Sequence, residues 1–140
     1  MITGVEISKV EAERIASDLV TNIKFNINFE DVEVKGEDVS VAFKFTADYE
    51  TGDAAKPKPL GKLEISGKVA SKEEKKDTDE IAKKWKESKT LPISFAEGVI
   101  TILNYECGVR GTLLSSSIGL LAPLALSKVK LQENPQNAKK

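Results

Sequence analysis

Ile23-Lys24-Phe25-Asn26-Ile27-Asn28-Phe29-Glu30 alternates apolar and polar residues at every step. A period of two puts Ile23, Phe25, Ile27 and Phe29 on one side of a strand and their polar neighbours on the other. That contrast marks a strand with one face buried and one face in water. Val32 and Val34 continue it after a shift of register. Lys35-Gly36-Glu37-Asp38 is a turn. Beyond it Val39, Val41, Phe43, Phe45, Ala47 and Tyr49 alternate with Ser40, Lys44, Thr46 and Asp48, so 23–34 and 39–49 form a hairpin. Residues 50–59 have no apolar period and read as a loop. A third strand follows, with Leu63, Ile65, Gly67 and Val69 against Lys62, Glu64, Ser66 and Lys68. Strands that each carry one apolar and one charged face predict an antiparallel sheet covered on one side.

Working outward, the N-terminal stretch is mixed. Val5 and Ile7 alternate with Glu6 and Ser8, which reads as a short strand or coil to about residue 8; the sheet is expected to have about four strands. Ser8-Lys9-Val10-Glu11 then matches a capping box, with Ala12, Ile15, Ala16 and Leu19 at helical spacing. A short helix to about residue 20 is expected there. On the other side, residues 71–89 place Asp77, Asp79 and Glu80 before Lys83, Lys84, Lys86 and Lys89, an order that complements a helix dipole. The apolar anchors are Ile81, Ala82 and Trp85, so this is a short solvated helix held by one Trp. Ser94 and Glu97 fit a second capping box, and a long helix over about 94–121 carries Phe95, Val99, Ile100, Ile102, Leu103, Tyr105, Val109, Leu113 and Leu114. These residues are not confined to one stripe, which predicts burial on several sides. Ala122-Pro123 breaks the helix. The fold class is α+β: an antiparallel sheet packed by a long C-terminal helix. Residues 1–131 are expected to form one domain and 132–140 a disordered polar tail.

Composition narrows the chemistry. The chain has 140 residues, 21 Lys+Arg, 22 Asp+Glu, no His and one Cys. Without His there is no Ser-His-Asp or Cys-His nucleophile and no His-bearing zinc site. One Cys allows no internal disulfide, which favours a reducing, cytoplasmic setting. A formal net charge of -1 lacks the basic surface a duplex-binding protein needs, and the basic residues are almost all Lys. No nucleic-acid partner is expected. Residues 1–15 lack an unbroken apolar run, so no secretory signal is expected either.

The candidate chemical groups favour structure over catalysis. Glu73, Glu74, Asp77, Asp79 and Glu80 sit in a lysine-rich solvated stretch with nothing apolar around them, unlike carboxylates in a catalytic cleft. Glu106 and Arg110 are four apart and suit an ion pair on one helix face. Cys107, mid-helix and among apolar neighbours, reads as a small buried hydrophobe. Gly61, Gly67, Gly108 and Gly111 match no phosphate loop. No metal site, cofactor or enzymatic activity is predicted. The uncharged stretch from Gly111 to Ser127 is interrupted by three serines and Pro123, so membrane insertion is not expected.

What remains is an excess of apolar surface. One apolar sheet face takes roughly two helices, and the long helix carries more apolar surface than that face can use. Another copy of the chain is the simplest cover, so an obligate homo-oligomer is expected.

The order of these features resembles the SecB-like chaperones. The resemblance is carried by Asn26-Ile27-Asn28-Phe29 with Val39-Ser40-Val41-Ala42-Phe43-Lys44-Phe45, by Leu63-Glu64-Ile65-Ser66-Gly67, and by Leu91-Pro92-Ile93-Ser94-Phe95-Ala96-Glu97 with Leu121-Ala122-Pro123-Leu124. It spans roughly residues 23–126. In this chain the segment from the long helix to Leu121-Ala122-Pro123 is longer than in the family, and Lys62 and Lys68 flank Glu64. The resemblance implies an ATP-independent holdase without cofactor that takes unfolded or nascent polypeptides into apolar grooves. It also implies assembly as a homodimer or dimer of dimers through the long helices.

On that reading Trp85, Leu91, Leu113, Leu114, Ile118, Leu120 and Leu121 line or rim the client groove. Phe95, Val99, Ile102, Leu103, Glu106, Val109 and Arg110 make the oligomer interface. Glu64 corresponds to the outward Glu that meets a translocation motor in export relatives, a possible docking point. Phe25, Phe43 and Phe45 read as sheet core, with some groove exposure open to them. The same apolar surface would also suit a scaffold oligomer closed by a partner, or a carrier of apolar ligands.

Overall fold

The computed structural model describes residues 1–52, 55–117 and 119. Four strands come first: β1 (Ile2–Arg14), β2 (Asn22–Lys35), β3 (Asp38–Thr51) and β4 (Lys58–Lys72). Two helices follow, α1 (Lys75–Ser88) and α2 (Ile93–Ser117). The strands form one antiparallel sheet in the order β1-β4-β3-β2.

The alternation read in the sequence sets this sheet. Val39, Val41, Phe43, Phe45, Ala47 and Tyr49 of β3 and Leu63, Ile65 and Val69 of β4 are buried, because these two strands lie in the middle. β2 pairs with β3 from Asn22↔Glu50 to Lys35↔Asp38, and its register shifts between Phe29 and Asp31. That bulge at Glu30 keeps Phe29 and Val32, three apart, on the same face as Phe43 and Val41. Gly36 turns the hairpin at φ 63°, a conformation that glycine adopts without strain.

The N-terminal reading needs correction. No helix forms between Ser8 and residue 20; β1 runs on to Arg14, paired with β4 from Ile2↔Ser71 to Arg14↔Gly61. A bulge between Ile7 and Lys9 explains the misleading spacing. Val5 and Ile7 precede it and Val10 and Ala12 follow it, opposite Ile65 and Leu63, so all four point to the helix side. Gly67 makes room for this bend: a Cβ there would lie 2.0 Å from the Glu6 carbonyl oxygen. Ser8, expected to cap a helix, instead donates its hydroxyl to the Ser66 carbonyl at 3.2 Å. Residues 15–21 then cross the end of the sheet. The Ile15 and Ala16 N–H groups donate to the Leu60 carbonyl at 2.7 and 3.2 Å, and the Thr21 N–H donates to Glu50 at 2.9 Å. Ala16 and Val20 pack on the core as the segment passes.

Both helices cover the apolar face. α1 lies against β2 and buries Thr78, Ile81 and Trp85, whereas Ala82, expected as an anchor, faces water. It ends at Lys89 in the left-handed region (φ 54°), with the Lys89 N–H donating to the Trp85 carbonyl. The Lys89 ammonium stands 5.4 Å from the Trp85 ring centroid, a cation–π contact. α2 lies against β1 and β4. It opens one residue before the expected cap: the Ala96 N–H donates to the Pro92 carbonyl at 2.9 Å, so Ser94 sits inside the first turn. At its far end the Arg14 guanidinium donates from Nη1 to the Gly119 carbonyl at 2.9 Å, tying the helix exit to the end of β1. A cation there also suits the helix dipole.

Candidate functional site

The two faces of the sheet differ in what they leave unsatisfied. On the outer face, charged side chains from all four strands engage one another. Lys9 reaches Glu11 at 3.5 Å and Glu64 at 3.6 Å, and Lys44 reaches Glu64 at 3.4 Å and Glu30 at 3.7 Å. Glu11 and Glu64 stand directly opposite each other, a repulsive cross-strand pair that Lys9 relieves by touching both. Glu64 is the hub. Desolvation raises its carboxyl pKa, but the Lys44 hydrogen bond and the charges of Lys44, Lys9 and Lys62 outweigh that and hold it below the usual value. Lys44 is correspondingly raised by its hydrogen bond and charge contact with Glu64. The expected docking residue is therefore already occupied by two lysines of its own sheet.

On the helix side α2 has two apolar stripes. Ala96, Val99, Leu103 and Cys107 point down and are buried in the core. Burial pushes the Cys107 thiol up to about 12, with the Arg110 charge opposing this and the Glu106 charge adding to it, so it behaves as a small hydrophobe. The outward stripe is Tyr105, Val109 and Leu113, one per turn, with Tyr105 61% and Leu113 75% exposed; Ile102, a turn earlier, packs partly on the core. Polar groups beside it are turned inward or paired. The Thr101 and Thr112 hydroxyls donate to the Glu97 and Gly108 carbonyls one turn back, both at 2.7 Å. Glu106 and Arg110 pair with each other as their spacing predicted. Tyr105, Val109 and Leu113 therefore present mostly apolar surface to water.

Other apolar side chains are exposed at separate places on the sheet margin and on the segment 15–21. Phe25, on the core side of edge strand β2, is 48% exposed and tilts against Phe45 with ring centroids 6.2 Å apart. Leu19 is 81% exposed, and Ile15 also faces water.

The predicted site residues separate into groups. Trp85 (7% exposed) and Leu91 lie in the core, not on a groove rim, because α1 and the α1–α2 connection have few other apolar anchors and must bury these. Val99 and Leu103, expected between subunits, are the stripe that α2 packs on the sheet. Phe95, Ile102, Glu106 and Arg110 are half-buried, and Val109 is exposed. Leu113 is the most open of the expected groove residues among the described ones, whereas Leu114 packs partly on the core. Ile118, Leu120 and Leu121, like the tail from 132 to 140, lie outside the described residues. Sequence reasoning missed Tyr105, Leu19 and Ile15 as surface; Tyr105, at one-turn spacing from Val109 and Leu113, was findable. Among the described residues, no helix is long and apolar enough to cross a membrane.

No family model matches the sequence, and no curated protein matches it. In three dimensions the chain is similar to the Mycobacterium tuberculosis Rv1957 SecB-like chaperone, solved in complex with a ChAD peptide from the Rv1956 HigA1 antitoxin. The TM-score is 0.58 at 10% identity, over 96% of this chain and 91% of that one. At that identity the likeness is one of fold: a four-stranded antiparallel sheet with two helices on one face gives this chain the SecB-like α+β fold.

Proposed function

We propose that this protein is an ATP-independent holdase chaperone, which captures unfolded or nascent polypeptides on the apolar surface of its helix side. It needs no cofactor and performs no covalent chemistry. The observation that carries the reading is the outward stripe of α2, where Tyr105, Val109 and Leu113 stand exposed beside self-satisfied polar groups. Covering a side chain such as Leu113 is worth about 1.5–3 kcal/mol when burial is complete. Several such contacts hold an unfolded segment reversibly without sequence specificity. The mixed charges of the outer sheet face keep the loaded complex in solution. The fold neighbour's binding of an antitoxin peptide supports a polypeptide as the ligand class.

Ile102, Tyr105 and Val109, with the Glu106–Arg110 pair beside them, suit contact with a second copy, which would leave Leu113 and the Phe25 margin to the client. We place the protein in the cytoplasm, consistent with its single free thiol. A partner reading Glu64 would have to compete with Lys9 and Lys44.

The test is suppression of aggregation of a chemically denatured model protein, followed by light scattering without nucleotide. The full chain suppresses it at near-equimolar amounts. Leu113→Asp loses most of this effect with an unchanged melting temperature, since the side chain is exposed. Equal suppression by the variant, or none by the parent chain, contradicts the proposal. A scaffold oligomer with permanently closed surfaces, or an apolar-ligand carrier, would give no suppression.

A further inference from the structure

Arg14 is the last residue of β1, paired across to Gly61 of β4. Its backbone is fixed in the sheet, and its side chain reaches two other parts of the chain. Nε donates to the Ala16 carbonyl at 2.8 Å, and Nη1 donates to the Gly119 carbonyl at 2.9 Å. Ala16 belongs to the segment 15–21 that crosses the end of the sheet, and Gly119 lies just past the last turn of α2. One guanidinium thus joins β1, the crossing segment and the exit of α2. Lysine supplies almost all the positive charge of this chain. An arginine suits this place because its planar fork aims several donors in a fixed geometry, which a single ammonium does not.

Gly119 suits the same contact. Its φ of 73° lies in the left-handed region, where glycine commonly follows a helix end. A Cβ there would lie 2.5 Å from Arg14 Nη1, so a side chain at this position displaces the guanidinium from the carbonyl.

The parts joined at Arg14 carry exposed apolar side chains. Leu113, 75% exposed, is in the last turns of α2, next to Leu114, which lies by Val10 and Ala12 of β1. Ile15 and Leu19 stand exposed on the crossing segment. Backbone bonds fasten that segment at its ends, from Ile15 and Ala16 to Leu60 and from Thr21 to Glu50, and Leu19 stands between them.

We propose that Arg14 is a positioning residue for polypeptide capture. By gripping Ala16 and Gly119 together, it holds the crossing segment, with Ile15 and Leu19, at a fixed place relative to the end of α2, with Leu113. A client then meets apolar side chains that are already ordered. Without the grip the client has to order them itself, and that cost appears as weaker binding through faster release. The inference rests on the polypeptide-binding reading above and adds to it the residue that pre-organises the surface.

The experiment measures fluorescence anisotropy of a labelled model protein, kept unfolded by reduction and carboxymethylation, on the full-length chain, at a temperature where circular dichroism shows every variant folded. Arg14→Met is expected to weaken binding about fivefold, and Arg14→Lys to recover little of that loss. Gly119→Asn keeps a residue that tolerates the left-handed backbone but displaces the guanidinium, so it weakens binding about as much. The double variant Arg14→Met/Gly119→Asn binds no worse than either single one, because both remove the same joint. In each variant without client, hydrogen exchange speeds up at the amides of 17–20 and of 112–116 together. Unchanged affinity in Arg14→Met and Gly119→Asn, full recovery by Arg14→Lys, losses that add in the double variant, or faster exchange in one region alone overturns the proposal, whatever the shift in melting temperature. If the parent chain binds and the variants bind equally, only the role of Arg14 falls. If the parent chain takes up no polypeptide, the holdase reading falls and this role with it.

Discussion

α1 and α2 lie on the same face of one sheet, and burial on that sheet satisfies only the first. α1 has a single apolar side, Ile81 and Trp85 with Thr78, and its remaining surface is mostly Lys, Asp and Glu. Once those three are buried, Ala82 is the one apolar side chain of α1 left in water. α2 buries an equivalent stripe through Val99, Leu103 and Cys107, then presents a second one to water. Sheet packing therefore accounts for all of α1 and about half of α2. Tyr105, Val109 and Leu113 stay exposed on α2, and the proposed function draws on them.

The largest expected effect separates the two stripes of α2. Leu103→Ala, on the inner stripe, should cost about 3 kcal/mol through lost burial and a residual cavity, seen in denaturant unfolding. Val109→Lys, on the outer stripe, should leave stability within about 0.5 kcal/mol and instead shift the sedimentation coefficient toward that of a smaller species. Equal stability losses at both positions would erase the distinction between the stripes.

A smaller effect probes the outer sheet face, which satisfies itself. Glu64→Gln removes a carboxylate held below its ordinary pKa by Lys44 and Lys9. A carboxylate whose pKa is depressed on folding stabilises above its unfolded value, and that gain is lost as pH falls through the folded value. The variant should be less stable near neutral pH by about 1 kcal/mol or less. Parent and variant should converge in acid and in high salt. A gap that persists in acid would mean Glu64 acts through packing rather than charge.

Much of this architecture was legible in the sequence, for an identifiable reason. In β2, β3 and β4 the alternation is strong enough to specify face and register together, and even the bulge at Glu30 showed as three positions between Phe29 and Val32. β1 has the same three-residue step, from Ile7 to Val10, but next to Ser8 and Glu11 it matched a helix start. What decides for a strand is Gly67 on another part of the chain, where the missing Cβ admits the bend. That information is tertiary and has no local signal. The site was less legible. Alternation says which way Phe25 points, but not that β2 is an edge strand whose apolar face is only partly covered. Trp85 was read from the sequence as the anchor of its helix and, through the family resemblance, also as a groove or rim residue. The structure keeps the first role and buries Trp85 as the main anchor of a helix that has little else to bury.

The contrast between α1 and α2 is tested most directly by asking which helix touches a client. A photo-crosslinking amino acid placed at Leu113 of α2 or at Lys83 of α1, both exposed, is illuminated in the presence of a denatured model polypeptide. The account predicts a client adduct from position 113 and none from position 83. Equal adducts from the two positions, or an adduct from position 83 alone, would contradict it.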